Sequence, residues 1–218
     1  MRLVSIILPT YNEAGNIIPL IKTIQRVVKK PLEIIVVDDN SPDGTSERVS
    51  KFNVRLITRY KNRGLTNSIR DGIHSAKGEV VVWIDCDFSH PPQLINKLLD
   101  KIEEGYDIAV ASRFIKGGGF KKGKKENALA IVLSRMMNYT IQFLLGNPFE
   151  DYTSGFVAVR KKVFNKVKLR GDYGEYFIDF IYKSFAYKYK IVEIPYIQHP
   201  RAKGESKTGT TLYEYIMR

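Results

Sequence analysis

An α/β domain with a mostly parallel central sheet is the fold class predicted for this 218-residue chain. Short runs rich in Val and Ile alternate with longer segments of helical period, the signature of strands connected by helices. Apolar runs such as Ile34-Ile35-Val36-Val37 are continuous, so they need burial on both faces, as helices packed on either side of a sheet provide. Polar clusters also follow the ends of several of these runs, where open parallel sheets place their ligands.

In chain order, strands are predicted at residues 4–8, 33–37, 54–58 and 80–84, with helices between them. A helix at 91–104 and a strand at 107–111 continue the pattern. The regularity then breaks at Lys116-Gly117-Gly118-Gly119-Phe120-Lys121-Lys122-Gly123-Lys124-Lys125, a stretch without hydrophobic period that predicts a mobile loop. An apolar helix at 128–145, a strand at 156–160, an aromatic helix at 175–189 and a strand at 190–194 follow, the aromatic helix reading as core. Residues 212–218 read as the start of a helix, with a longer carboxy-terminal part expected beyond it.

At 44% hydrophobic content the chain can bury one sizeable core, so a single domain over residues 1–218 is expected. With 35 Lys+Arg against 23 Asp+Glu, the formal charge is +12, which favours polyanionic partners: nucleic acid, anionic lipid or phosphorylated substrates. A single cysteine, Cys86, excludes an internal disulfide framework. The strand pattern begins at Leu3, which leaves no room for a signal peptide, and a cytoplasmic location is expected. Ser134, Arg135, Asn138 and Gln142 interrupt the apolar helix, so it is expected to lie on a membrane, not span it.

Three clusters fall at strand ends: Pro9-Thr10-Tyr11-Asn12-Glu13, Asp38-Asp39-Asn40-Ser41-Pro42-Asp43-Gly44-Thr45 and Asp85-Cys86-Asp87. The second also reads as turn and helix-cap chemistry. Two carboxylates as close as Asp85 and Asp87 repel unless a cation or hydrogen bonds compensate. Mg²⁺ or Mn²⁺ takes one or two carboxylates and fills its remaining positions with water and phosphate oxygens, which suits a nucleoside diphosphate. Arg113 and the basic stretch Arg201 to Lys207 supply a forked donor and point charges for phosphate. Asp151, before the strand at 156–160, is a candidate for holding sugar hydroxyls or positioning an acceptor, although a turn accounts for it almost equally well. No glycine-rich phosphate loop follows the first strand, which argues against nicotinamide and P-loop enzymes.

Taken in order, Leu8-Pro-Thr-Tyr-Asn-Glu13, Val36-Val-Asp-Asp-Asn-Ser-Pro-Asp-Gly-Thr45, Asp85-Cys-Asp-Phe-Ser-His-Pro-Pro92, Ser112-Arg113, Asp151-Tyr-Thr-Ser-Gly-Phe156 and Arg201-Ala-Lys-Gly-Glu-Ser-Lys207 resemble the dolichol-phosphate mannose synthases of glycosyltransferase family 2. The resemblance implies a GT-A, Rossmann-like fold. It implies that Pro9, Tyr11, Glu13, Val37 and Asp39 surround the nucleoside, and that Asp85, Cys86 and Asp87 lie against ribose, diphosphate and metal. Asp87 and Ser89 would ligate Mg²⁺ or Mn²⁺. Arg113, Arg201 and Lys207 would contact the diphosphate and sugar, acting with Asp87 in catalysis. Residues 121–127 depart from the tryptophan and arginine pattern common in that loop.

The expected reaction is inverting transfer of mannose from GDP-mannose to dolichyl or another polyprenyl phosphate, at the cytoplasmic face of a membrane. A UDP-sugar hexosyltransferase acting on the same lipid class is the alternative. A basic nucleic-acid-binding module is disfavoured, because the basic residues interleave with carboxylate motifs and no nucleic-acid motif is present.

Overall fold

The computed structural model describes residues 3–121, 128–171 and 175–204. Lys122, Lys124, Lys125, Lys207 and the helix expected at 212–218 lie outside them. Seven strands form the main sheet: β1 (Val4–Thr10), β2 (Leu32–Asp38), β3 (Arg55–Thr58), β4 (Val80–Trp83), β5 (Ile108–Ser112), β7 (Val157–Arg160) and β8 (Ile191–Pro195). Their spatial order is β3-β2-β1-β4-β7-β5-β8, and every pairing is parallel except those of β7 with β4 and β5.

Helices cover both faces, as the continuous apolar strands demand. On β1, Ile6 and Leu8 face one layer, with Ile17, Leu20, Ile21 and Ile24 of α1 (Ile17–Val27) and Leu94, Ile95, Leu98 and Ile102 of α4 (Leu94–Glu103). Ile7 faces the other, with Ile69 and Ile73 of α3 (Leu65–Ser75) and, further along, Trp83, Phe177, Phe180 and Ile181. This alternation follows from the two-residue side-chain period of a strand. Gly72 lets α3 approach closely, since a Cβ there would collide with Ile7. The aromatic helix α6 (Glu175–Ala186) is core on its inner face, where Trp83 Nε1 donates to Tyr176 Oη at 3.1 Å. A short α2 (Thr45–Val49) follows β2.

The Lys116 stretch differs from its expectation. Gly119–Phe120 forms β6 and pairs in parallel with β9 (Ile197–Gln198). Such a ladder depends on a partner far along the chain, so it leaves no local periodicity to read. Helix α5 (Ala128–Leu145) packs Ile141 and Leu145 against the α6-side core and leaves other apolar residues outward. Among the described residues no helix is long and apolar enough to cross a membrane.

Candidate active site

The strand order brings the clusters together. β2, β1 and β4 are neighbours with their carboxyl ends on one edge, so Glu13, Asp38, Asp39, Asp85 and Asp87 converge there. Because β7 runs the opposite way, it is its amino end that reaches this edge, carrying in Asp151 to Phe156. β5 and β8 add Arg113 and the segment from Tyr196 to Arg201.

On the β2 side, much of the second cluster is internal bracing. Buried Asp38 accepts hydrogen bonds from Thr10 Oγ1 (3.0 Å), Ser41 N (2.9 Å), Ser41 Oγ (2.5 Å) and Ser46 Oγ (2.8 Å). Ser41 Oγ and Thr45 Oγ1 accept the amides of Asn12 and Glu13, and Asp43 accepts that of Ala14. The turn chemistry of residues 41–45 thus shapes the Tyr11 to Ala14 loop. Asp39 is also engaged: Oδ1 accepts from Arg59 Nη1 (2.6 Å) and Ser68 Oγ (2.9 Å), and Oδ2 from Gly64 N (2.6 Å). Gly64 has φ +128°, a backbone conformation that suits glycine. The Val37 side chain is wholly buried in the core, while Tyr11 is exposed beside Arg63, whose Cζ lies 5.7 Å from its ring centroid. Pro9 accepts the Cys86 thiol through its carbonyl at 3.4 Å, joining the first cluster to the third.

Asp85 and Asp87 occupy the turn after β4. Asp87 Oδ1 accepts the Ser89 amide (2.8 Å), and its Oδ2 lies 3.1 Å from Arg201 Nη2. The same guanidinium donates to Glu13 Oε1 at 2.7 Å, so one cation bridges two clusters. Burial alone would lower the Arg201 pKa, but these carboxylates leave it raised. Asn16 Nδ2 donates to Glu13 Oε2 and to the Lys203 carbonyl. The amides of His199 and Ala202 donate to the carbonyls of Ser89 and Asp87, both at 2.9 Å. Residues 199–203 are therefore laced across the carboxylate turn.

Asp85 has a different environment. Its side chain is 45% exposed, and His90 Nε2 lies 3.9 Å from its Oδ2. The surrounding protein still raises its pKa by desolvation, and Asp87 adds to this, while His90 and Arg201 oppose it. His90 accepts the Asp85 amide at Nδ1 (3.3 Å), and burial lowers its pKa, which favours the neutral ring. It stacks on Phe156 with centroids 5.2 Å apart.

Arg113 is held in a fork. Asp151, fully buried, accepts from its Nε (2.8 Å) and Nη2 (2.6 Å), Thr153 Oγ1 from Nη2 (2.7 Å) and Gln198 Oε1 from Nη1 (3.1 Å). Among the described residues, four of its five N–H groups are thus engaged and one on Nη1 is not. Burial would lower the Arg113 pKa, but Asp151 outweighs it and keeps the charge secure. Phe114 and Phe120 lie 5.2 and 5.6 Å from Cζ, so β6 helps to cage the guanidinium. Glu193 on β8 fixes Asp151 in turn, accepting its amide and that of Glu150 at 3.0 and 2.9 Å.

The structure gathers Glu13, Asp85, Cys86, Asp87, Ser89, Arg113 and Arg201 around one cleft, with Asp39 behind its β2 side and Lys207 outside the described residues. Sequence reasoning did not single out Asn16, Arg59, Glu193, Tyr196 and Gln198, whose contacts reach mostly to distant parts of the chain, and gave no role to Asp38 and Thr153, which stand inside clusters it quoted. Among the described residues, no three His, Cys, Asp or Glu side chains form a cage for a metal. Two adjacent carboxylates, one open to the cleft, instead match a cation whose remaining ligands come with a phosphorylated substrate.

The mostly parallel α/β sheet covered by helices on both faces, with the carboxylate turn at its carboxyl edge, is a GT-A fold. The chain belongs to glycosyl transferase family 2, whose model matches residues 5–168, and it is a glycosyltransferase. It is 38% identical to a dolichol-phosphate mannosyltransferase of Pyrococcus furiosus over 98% of its own length, spanning 61% of that relative. It is 32% identical to the polyprenol monophosphomannose synthase of Mycolicibacterium smegmatis, covering 98% of this chain and 84% of that relative. The dolichol-phosphate mannosyltransferase of Saccharomyces cerevisiae is 29% identical, with 97% and 84% covered. In backbone, the chain resembles glucosyl-3-phosphoglycerate synthase of Mycobacterium tuberculosis, solved with Mn²⁺, UDP and glucosyl-3-phosphoglycerate. That match has a TM-score of 0.73 at 20% identity and covers 94% of this chain and 73% of the other.

Proposed function

We propose that the chain transfers mannose from GDP-mannose to dolichyl or another polyprenyl phosphate, with inversion, at the cytoplasmic face of a membrane. The observation that carries this reading is the Asp85–Asp87 turn set under Arg201 at the sheet edge. The lipid-phosphate acceptor and the mannosyl group are supported by the names of the relatives above.

In this reading, Tyr11 and the loop braced by Asp38 and Thr45 receive the nucleoside, with Asp39 organising its far side. A divalent cation, Mg²⁺ or Mn²⁺, held by Asp87 and Ser89 beside Asp85, would neutralise the diphosphate and stabilise charge on the leaving group. Arg201, already beside Asp87, and Lys207 stabilise that charge directly. Arg113 acts as a fixed positive charge with one N–H to offer. The acceptor needs no dedicated base, since a phosphate monoester has a second pKa of about 6 and is largely ionised near neutrality. Its oxygen bonds to the anomeric carbon as the sugar–diphosphate bond breaks, and the electron pair leaves with the diphosphate.

Membrane contact is assigned to α5. Val132, Met136, Tyr139 and Phe143 recur at spacings of four, three and four residues and are 53%, 60%, 64% and 86% exposed, with Leu144 beside them at 72%. This is an apolar stripe on the solvent side of a helix, of the kind that lies in a bilayer interface. Exposed Lys116 and Lys121 precede it, and each such lysine contributes about 1 kcal/mol near an anionic surface.

The deciding assay offers dolichyl phosphate with GDP-mannose, UDP-glucose and other nucleotide sugars and measures lipid-linked sugar. GDP-mannose should give the product, and Asp87→Asn, which keeps an acceptor for the Ser89 amide, should lower turnover by about 10²-fold or more. Product from UDP-sugars alone would move the assignment to a hexosyltransferase of the same lipid class. No lipid-linked product from any donor would overturn it.

A further inference from the structure

We propose that the Tyr196 hydroxyl is a substrate-contact group of this site, left without a partner among the described residues so that it donates a hydrogen bond to an oxygen of the bound glycosyl donor. The inference rests on the nucleotide-sugar reading above and adds a residue that neither the sequence motifs nor that reading assigned.

Tyr196 joins β8 to β9. Its amide donates to the Ser112 carbonyl, immediately before Arg113, and its carbonyl accepts the Gly119 amide, both at 3.0 Å. The backbone of Tyr196 is thereby fixed between the arginine strand and β6. The ring meets His90 edge-on with centroids 5.7 Å apart, and Phe156 likewise at 6.2 Å. His90 is the residue that accepts the Asp85 amide, so the ring stands between the carboxylate turn and the Arg113 fork. The residue is only 4% exposed, and its hydroxyl oxygen is buried with no hydrogen-bond partner among the described residues.

Among the described residues, Thr66 Oγ1 and Tyr152 Oη are the only other buried side-chain atoms in that state. Buried polar atoms in folded proteins are nearly always paired, and an unmade hydrogen bond costs about 1–3 kcal/mol. Around the same cleft, Asp87, Arg113 and Asp151 each make two or more polar contacts. A phenylalanine would fill the same space without the penalty. Burial pushes the phenol's ionisation upward, and Asp151, Asp85 and Asp87 push it further while Arg113 opposes. The group therefore stays protonated and acts as a donor, within the field of the charges that flank a sugar diphosphate. The acceptor oxygen belongs either to the sugar or to the diphosphate.

The test is Tyr196→Phe in the full chain, with GDP-mannose, UDP-glucose, GDP and UDP titrated calorimetrically in Mg²⁺ alongside ligand-free melting. The variant should melt at or above the wild-type temperature without ligand, yet bind the donor sugar nucleotide about 3- to 10-fold more weakly, the size of one neutral hydrogen bond. Weakening confined to the sugar nucleotide assigns the oxygen to the sugar, and equal weakening of the free diphosphate assigns it to the diphosphate. Unchanged affinities, or a lower ligand-free melting temperature that reveals a partner within the protein, would overturn the proposal. Wild-type chain that binds none of the four probes would overturn the donor reading and this proposal together; binding by wild type and variant alike would overturn only the latter.

Discussion

Asp39 shows how one carboxylate serves folding before it serves a ligand. It is nearly buried, and Arg59, Ser68 and the Gly64 amide take up its oxygens, while Arg59 also reaches Asp71 Oδ2 at 2.7 Å and the Asn62 carbonyl. Removing one partner of a buried pair strands the other charge, a loss of about 3–5 kcal/mol. Asp39→Ala should therefore lower unfolding stability by about 3 kcal/mol, toward the low end because Asp71 still pairs with Arg59. Asp39→Asn should cost less, since its amide oxygen still accepts the Gly64 amide. Denaturant melts read both, and Asp39→Ala as stable as wild type would refute the organising role. The position of Asp39 was legible, because a carboxylate ending a buried strand must face the sheet edge. Its partners were not, because Arg59 and Ser68 belong to β3 and α3 and become neighbours only when those elements pack. The same holds for Asp151, which a turn explained almost equally well until Arg113 and Glu193 were seen around it.

Among the elements, α5 carries the clearest conflict between burial and exposure. Its inner side sets Asn138 under the Asp151 turn, donating to Thr153 Oγ1 at 3.1 Å and accepting the Tyr152 amide at 2.7 Å. Its outer stripe is exposed among the described residues. Phe143→Ser with Leu144→Ser should leave melting within about 0.5 kcal/mol of wild type, because both residues are exposed. The same pair should reduce co-sedimentation with anionic liposomes in low salt. Undiminished binding would remove the stripe from the membrane contact. Strong local periodicity made the long elements legible, α5 and α4 among them, as did the apolar runs of β1, β2 and β4. The antiparallel sense of β7 and the β6–β9 ladder were not, since direction and pairing are settled by partners from distant parts of the chain. Asn138, one of the polar interruptions of α5, has a local reason to be there: it braces the Asp151 turn.

Across the whole molecule, a formal charge of +12 contrasts with the carboxylates gathered at one sheet edge. Glu13 follows β1 while Asp85 and Asp87 both follow β4, and Arg201, far along the chain, crosses between the two strand ends. With the amides of His199 and Ala202 on the Ser89 and Asp87 carbonyls, it ties the segment after β9 to the ends of β1 and β4. A guanidinium paired with these carboxylates competes with a metal cation for the same oxygens, yet it stabilises a departing diphosphate. Arg201→Ala should therefore separate two quantities that a simple loss of folding would move together. Turnover should fall by about 10²- to 10³-fold, the scale for removing a donor that stabilises developing charge. Binding of Mn²⁺ alone should be as tight as in wild type or tighter, since Asp87 Oδ2 and Glu13 Oε1 lose a competing positive charge. Paramagnetic titration of free Mn²⁺ beside the transfer assay reads both. Weaker Mn²⁺ binding in a variant that still melts like wild type would show that Arg201 shapes the carboxylate turn for the cation and does not compete with it.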